Sequence, residues 1–131
     1  MIAFDTNHLV RHLLQDDEKQ CGEVASLIAG ESQRDTAILI LDMVILETNW
    51  VLESVFGVSR SGWAEIVECL LADAIFCFED PERIRLAVRM FRKGKADFSD
   101  YLILAKAKAE GCQLKTFDKN LLPDTQAGSI Q

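Results

Sequence analysis

Short apolar runs alternate with amphipathic stretches along the chain, and this pattern predicts its secondary structure. The run TAILIL at residues 36–41 is typical of a strand that is covered on both faces. Apolar residues that recur every three or four positions, as in NHLVRHLL, are typical of a helix with one buried face. We therefore expect strands over residues 1–5, 36–41, 75–78 and 112–117, and helices over residues 6–14, 17–28, 43–56, 60–74, 81–92 and 97–110.

Capping residues and glycines define most of the predicted helix ends. Asp42 and Ser59 are expected N-caps, and Asp80 followed by Pro81 is typical of a cap with proline at the first helical position. Glycine is common just beyond the last helical residue, so four helices are expected to end near Gly30, Gly57, Gly94 and Gly111.

Strands that alternate with helices predict an α/β fold with a mainly parallel sheet. We expect a three-layer α/β/α sandwich whose central sheet has four or five strands, with the run at residues 36–41 in its middle. The helices over residues 43–56 and 60–74 should form a helical hairpin, and the whole chain, residues 1–131, should form a single domain. Ligands bind such sheets at the carboxyl ends of the strands, where Asp5 and Asp118 are predicted to lie.

The net charge of −7 argues against a protein that binds nucleic acid through its overall charge, since such proteins usually carry a basic surface. Basic residues do cluster locally in RMFRKGK, and carboxylates that bind a metal have their charge offset by the ion. The charge therefore weakens the case for a nuclease without excluding it.

Membrane proteins and disulfide-rich secreted proteins are both disfavoured. The sequence has no apolar stretch of about 18 residues and no basic segment that leads into an apolar signal core, so we expect a cytoplasmic protein without a membrane span. Four widely spaced cysteines in apolar surroundings are expected to be buried, reduced thiols: Cys21, Cys69, Cys77 and Cys112.

Five acidic residues carry the candidate chemistry: Asp5, Glu47, Asp97, Asp100 and Asp118. Taken singly, most of them have an ordinary explanation. Asp5 and Asp118 could cap the segments that follow them, and Asp97 with Asp100 has the spacing of a capping box.

Glu47 is harder to explain by local structure. It falls between Val44 and Val51 on a predicted core-facing stripe, whereas Glu53 points in another direction and is expected to be solvated. A carboxylate on a buried face is costly unless it is paired or bound to metal. A salt bridge to an arginine and a metal ion are therefore both open.

Taken together, the acids favour a divalent cation. Asp97 and Asp100 project to the same side of a predicted helix start, and that helix leads into the strand that ends at Asp118. Like charges gathered in a cleft need a cation, and oxygen ligands select Mg²⁺ or Mn²⁺ over zinc. Such ions activate water for the hydrolysis of phosphodiesters. Three polar residues flank the acids and could orient groups in the site or cap local structure: Thr6, Asn7 and Thr116.

Two histidines and two tryptophans have simpler interpretations. His8 and His12 lie one helical turn apart, but the rest of an H-E-x-x-H pattern is absent and both are expected to lie away from the candidate ligands. Trp50 and Trp63 are interpreted as core or dimer-contact residues rather than as platforms for stacked bases.

Four motifs follow each other in a recognisable order: DTN, LETNWVL, ADFSDYLILAKA and LKTFDKNL. In this order they resemble the PIN-domain ribonucleases, and most closely the VapC-type toxins of bacterial toxin–antitoxin pairs, over nearly the whole chain. The resemblance implies cleavage of RNA that depends on Mg²⁺ or Mn²⁺, a homodimer, and inhibition by an antitoxin protein whose tail enters the active site. It also implies an acidic quartet with one accessory ligand: Asp5, Glu47, Asp100, Asp118 and, as the accessory, Asp97. Thr6 and Thr116 match positions that line this site in the family.

Basic residues provide candidate contacts to RNA. In a homodimer, Arg92, Lys93 and Lys95 could contribute to one shared groove, and Lys115 either contacts RNA or marks an edge strand. The tail after Pro123 matches the family weakly, and a final strand over its AGSIQ end remains open.

Two other functions remain open beside the predicted toxin ribonuclease. A phosphatase similar to the haloacid dehalogenases would use Asp5 as nucleophile, but that chemistry typically needs a second acid two residues on, where this chain has Asn7. A non-catalytic α/β module could use the acids to bind a structural ion or a basic partner, although all five positions retain a carboxylate.

Overall fold

The computed structural model of the protein describes residues 1–126. These residues belong to two compact units, Met1–Glu79 and Asp80–Gln131. A single domain over residues 1–131 stays a prediction, as does the arrangement in three layers.

The first unit contains a parallel three-stranded sheet and four helices. The strands are β1 (Ile2–Ala3), β2 (Ile38–Ile40) and β3 (Phe76–Phe78), and they lie side by side in that order. Ile38 of β2 is opposite Ile2 on one side and Phe76 on the other. The helices are α1 (Thr6–Leu14), α2 (Glu18–Gln33), α3 (Asp42–Ser54) and α4 (Arg60–Ala72).

The apolar run around β2 lies in the middle of the sheet, as expected. Ile38 and Ile40 have no exposed surface, and strands pair with β2 on both of its edges. Helix α1 contacts both α2 and α3, and α3 contacts α4, so the predicted helical hairpin is confirmed. Ser59 begins α4 as expected, since its hydroxyl accepts the N–H of Gly62.

Two helix ends in the first unit differ from the prediction. Helix α2 continues through Gly30, because one glycine costs a helix only about 0.5–1 kcal/mol and the next turn is held by the buried Glu31. The Thr36 hydroxyl donates to Glu31 over 2.9 Å, and the chain reverses at Asp35, whose φ is 56°. Asp42 is the first helical residue of α3 rather than its cap.

The second unit is helical in its described residues, with α5 (Pro81–Lys93), α6 (Phe98–Ala109) and the short α7 (Leu122–Gln126). Asp80 caps α5 and Gly94 follows its last residue, as predicted. Helices α5 and α6 pack closely through aromatic residues. The rings of Phe91 and Phe98 meet edge to face with centroids 5.6 Å apart.

The turn between α5 and α6 is built around a buried tyrosine. Tyr101 has no exposed surface, and its hydroxyl accepts the N–H of Ala96 over 3.3 Å and donates to Asp124 over 3.2 Å. Gly94 passes so close to this side chain that a Cβ there would overlap the Tyr101 hydroxyl. Only glycine fits this position.

The expected strand over residues 112–117 is wrong. This segment has no buried side chain, and Phe117 is fully exposed. The second unit has no strand among its described residues that could pair with the segment, so apolar spacing alone does not make it a strand. The sheet therefore has three strands in residues 1–126 rather than four or five, while the α/β class with a parallel sheet is confirmed. The possible final strand over AGSIQ lies outside the described residues.

The four cysteines are unlinked, but the expectation that all are buried is wrong. Cys69 and Cys112 are exposed, because each lies on the outer side of its helix or turn rather than against the core. No helix among residues 1–126 is both long enough and apolar enough to cross a membrane.

Candidate active site

Each unit holds part of the predicted acidic set. Asp5 and Glu47 belong to the first unit, and Asp97, Asp100 and Asp118 belong to the second. The set therefore consists of two groups, and the first of them begins with Asp5, shortly after β1.

Asp5 is the N-cap of α1, two residues after the end of the short strand β1. Its Oδ1 accepts the backbone N–H of His8 over 2.9 Å and lies 2.8 Å from the Nδ1 of the same residue. These bonds hold the pKa of the Asp5 carboxyl below its usual value, and the bond from the backbone N–H has the larger effect. Partial burial acts in the opposite direction but is outweighed. The side chain is 69% exposed, so Asp5 offers an ionised and accessible carboxylate.

Glu47 lies on the exposed side of α3, which corrects the expectation of a buried carboxylate. The buried stripe of this helix contains two polar residues that the apolar pattern missed, and consists of Ile45, Thr48, Asn49 and Leu52. Glu53 was expected to be solvated but is half-buried, because the buried face of α3 lies closer to Glu53 than Val44 and Val51 had indicated. The partner of Glu47 is the Thr6 hydroxyl, which donates to its Oε1, rather than an arginine.

The contact between Thr6 and Glu47 ties the first residue of α1 to the second turn of α3. A carboxylate can accept hydrogen bonds at both of its oxygens. The Thr6 hydroxyl orients one oxygen of Glu47, and the other oxygen points away from Thr6. Thr6 therefore orients the carboxylate of Glu47, and His8 hydrogen-bonds to the carboxylate of Asp5.

The three acids of the second unit crowd around the start of α6. Asp97 is the N-cap of this helix, and its N–H donates to the Oδ2 of Asp100 over 3.3 Å, which gives the reciprocal contact of a capping box. Burial raises the pKa of Asp100, and the carboxylates of Asp118 and Asp97 raise it further. The start of α6 thus gathers negative charge.

Asp118 is held at a turn by its own neighbours. The Thr116 hydroxyl accepts the N–H of Asp118 over 3.0 Å, and the Oδ1 of Asp118 accepts the N–H of Asn120 over 2.8 Å. Two further backbone N–H groups, those of Leu121 and Leu122, donate to the carbonyl of Asp118. Asp118 thus holds the turn that follows it, which agrees with the alternative that it caps local structure, although a loop precedes the residue instead of a strand.

The fold and the two acidic groups can be compared with known proteins. The model of the PIN domain family matches residues 2–126 of this chain. A VapC ribonuclease of Aquifex aeolicus (strain VF5) is 30% identical over 111 residues, which cover 85% of this chain and 82% of the relative. This chain belongs to the PIN-domain family. No solved structure gives a significant match to it.

Membership of the PIN-domain family confirms the resemblance seen in the sequence motifs, and the donor chemistry is consistent with a cation. All five acids offer hard oxygen ligands, which suit Mg²⁺ or Mn²⁺. Burial raises the pKa of Asp100 most, and repulsion from Asp118 and Asp97, which a divalent ion would relieve, raises it further. Within the described residues of either unit, no group of three or more His, Cys, Asp or Glu side chains forms a ready-made metal site. The identity of the ligands therefore stays a prediction.

His8 is a further residue of this PIN domain whose position sequence reasoning predicted wrongly. It does not lie away from the candidate ligands, because its ring contacts Asp5 directly. The sequence did contain a signal for this contact, namely the spacing D-x-x-H at a helix start. At this spacing the third helical residue faces the N-cap residue, as it does in a capping box. His12 lies elsewhere, with its ring 5.2 Å from that of Phe76, and burial lowers its pKa.

The remaining candidates differ in exposure. Trp63 is buried in the core of the first unit, whereas Trp50 is 64% exposed, so Trp50 is not a core residue and its alternative role as a dimer contact stays a prediction. Its place on the outer face of α3 explains the difference.

Asn7 is exposed and lines a cleft of about 190 Å³ with Asp5 and His8. The predicted RNA-contact residues are all at the surface: Arg92, Lys93, Lys95 and Lys115.

Proposed function

We propose that this PIN-domain protein is an endoribonuclease that depends on Mg²⁺ or Mn²⁺ and acts as the toxin of a toxin–antitoxin pair. The family match and the relative named VapC ribonuclease support a nuclease. The observation that carries the metal requirement is the crowding of Asp97, Asp100 and Asp118, in which burial first and the two neighbouring carboxylates second raise the pKa of Asp100. Like charges held this close are stabilised by a cation.

Each acid has a role in this proposal. Asp5, Glu47, Asp100 and Asp118 would hold the ion, with Asp97 as an accessory ligand that also caps α6. A bound divalent ion supplies a nucleophilic water at neutral pH and stabilises the departing oxygen of a phosphodiester. The proposed supporting residues are Thr6, which orients Glu47, Thr116, which fixes the backbone of Asp118, and Asn7, which lines the cleft beside Asp5.

The proposed partners follow from the same family membership. RNA is the substrate, and the exposed side chains of Arg92, Lys93, Lys95 and Lys115 are candidate phosphate contacts. We further propose a cytoplasmic homodimer that a cognate antitoxin protein inhibits.

The direct test is cleavage of total cellular RNA by the purified protein with Mg²⁺, with Mn²⁺ and with excess chelator. We expect cleavage with either ion and none with the chelator. Asp5→Asn and Asp118→Asn should each reduce the rate by more than the ~10–100-fold that loss of an outer-shell partner costs. Glu65→Gln, which changes an exposed acid on α4, is the matched control and should cut at the normal rate. Cleavage that survives the chelator would contradict the proposal.

A further inference from the structure

His8 makes two hydrogen bonds to a single oxygen of Asp5. Its backbone N–H and its ring Nδ1 lie 2.9 and 2.8 Å from Oδ1. A carboxylate only accepts hydrogen bonds, so the ring must carry a proton on Nδ1. Both bonds end on Oδ1, and His8 therefore leaves the other oxygen, Oδ2, for another ligand.

The ring bond exceeds what the helix start needs. An N-cap aspartate requires only a backbone N–H of the first turn, and the N–H of His8 already provides it. With that bond alone, the carboxylate can turn about its last torsion angle and exchange its two oxygens. A second donor on the same oxygen disfavours the exchange and fixes which oxygen faces away from α1.

The imidazole ring is itself held in place. It packs against Phe4, with ring centroids 5.4 Å apart, and Phe4 is only 2% exposed. The His8 side chain is 43% exposed, so one side of the ring meets the core while the polar edge faces Asp5. A donor that packing immobilises can fix the geometry of its partner, whereas a mobile surface side chain could not.

We propose that His8 is a positioning residue that holds the Asp5 carboxylate with Oδ2 presented to the divalent cation, an inference that rests on the proposed function. Partners that hydrogen-bond to metal ligands typically change metal affinity by about 10–100-fold when they are removed. His8 is the third residue of α1 and Asp5 is the N-cap of the same helix, two residues after β1, so strand, ligand and positioning residue follow each other within a short stretch of chain.

The test is the affinity of the purified protein for Mn²⁺, measured by titration calorimetry without RNA. His8→Leu keeps the bulk of the side chain but has no donor, and we expect it to weaken Mn²⁺ binding by about 10–100-fold. His8→Asn places an amide nitrogen near the position of Nδ1, and it should recover part of the affinity. His12→Leu, one turn further along α1, is the matched control and should bind Mn²⁺ as the unaltered protein does.

Unfolding in urea separates positioning from capping. If the ring only stabilises α1, His8→Leu will lower the free energy of unfolding and leave the Mn²⁺ affinity unchanged, and the inference is then overturned. His8→Ser, whose hydroxyl is too short to take over the ring contact, decides the question if His8→Leu does not fold.

The same titration distinguishes failure of this inference from failure of the proposed function. Normal Mn²⁺ binding by His8→Leu, together with loss of binding by Asp5→Asn, overturns only the role of His8. No Mn²⁺ binding by the unaltered protein would overturn the proposed metal dependence and the role of His8 with it.

Discussion

The starts of α1 and α6 share one local geometry and have opposite electrostatics. Each helix begins with an aspartate at the N-cap and has a titratable residue at the third helical position, His8 in α1 and Asp100 in α6. His8 lowers the pKa of Asp5, whereas Asp118 and Asp97 add to the effect of burial and raise the pKa of Asp100. The first helix start keeps its carboxylate ionised with protein groups alone. The second gathers like charges whose repulsion the proposed cation would relieve.

The largest expected effect that follows from this contrast is that of Asp100→Asn. Loss of a proposed metal ligand should reduce Mn²⁺ affinity and RNA cleavage by more than about 100-fold, beyond the usual cost of an outer-shell partner. In chelator the same change should raise the free energy of unfolding at pH 7, because it removes repulsion from Asp118 and Asp97. The gain is expected to be ~0.2–1 kcal/mol after solvent screening, and it should shrink at high salt.

Asp5→Asn provides the contrasting measurement in chelator. It loses the favourable interaction with His8, so its free energy of unfolding should fall slightly or stay the same, even though asparagine is also a good N-cap. A gain in stability for Asp5→Asn equal to that for Asp100→Asn would show that the two helix starts do not differ as described.

Basic residues sharpen the contrast between the two regions. Arg92, Lys93 and Lys95 come just before α6, whereas the side chains before α1, residues 1–4, carry no positive charge. Replacing all three with glutamate should weaken binding of single-stranded RNA and flatten its salt dependence. The slope of log affinity against log salt should drop by about 0.7 for each phosphate that the protein no longer neutralises. The measurement is the fluorescence anisotropy of single-stranded RNA at several salt concentrations, with each protein also carrying Asp118→Asn so that the RNA is not cleaved. An unchanged slope would exclude these residues as phosphate contacts.

The start of α6 also depends on the glycine turn before it. In Gly94→Ala the new Cβ would clash with the hydroxyl and ring of Tyr101, and overpacking of this kind costs about 1–3 kcal/mol. Gly22→Ala in α2 meets no atom within 4 Å and should instead stabilise the protein by about 0.5–1 kcal/mol. Urea unfolding of both variants tests the difference in sign, and equal effects would show that the Gly94 turn is not tightly packed.

The smallest expected effect is a pH dependence that comes from His12. Burial lowers its pKa in the folded protein below the ordinary value of 6.5, so the unfolded chain binds the proton more readily. The contribution of His12 to stability is therefore complete above about pH 6.5 and decreases as the pH falls below that value. Since the ring is half-buried, we expect a loss of less than ~1 kcal/mol between pH 7.5 and 5.5. His12→Leu should remove this part of the slope, and a steeper slope in that variant would contradict the assignment.

The sequence predicted most helices because their signals are local. Caps such as Ser59 and Asp80 act through a side chain and an N–H three residues away, and both helices begin where the pattern indicated. The bounds of α1 were also predicted, since its apolar spacing starts directly after the Asp5 cap.

The errors arose where distant contacts decide the outcome. Residues 112–117 have a strand-like composition, but a strand needs a neighbour to pair with, and composition does not supply one. The orientation of Glu47 was wrong because Thr48 and Asn49 occupy the buried stripe of α3, and a search for apolar residues passes over them. The contact of Glu47 with Thr6 joins residues 41 positions apart, which periodicity cannot reveal.

The buried hydroxyl of Tyr101 has a practical consequence for spectroscopy. Tyr101 is the single tyrosine of the chain, and it lies in the second unit, whereas both tryptophans lie in the first. Tryptophan emission therefore reports on the first unit, and a fluorine label on Tyr101 reports on the second by nuclear magnetic resonance. One unlabelled and one labelled sample are enough to measure whether the two units lose their structure at the same denaturant concentration.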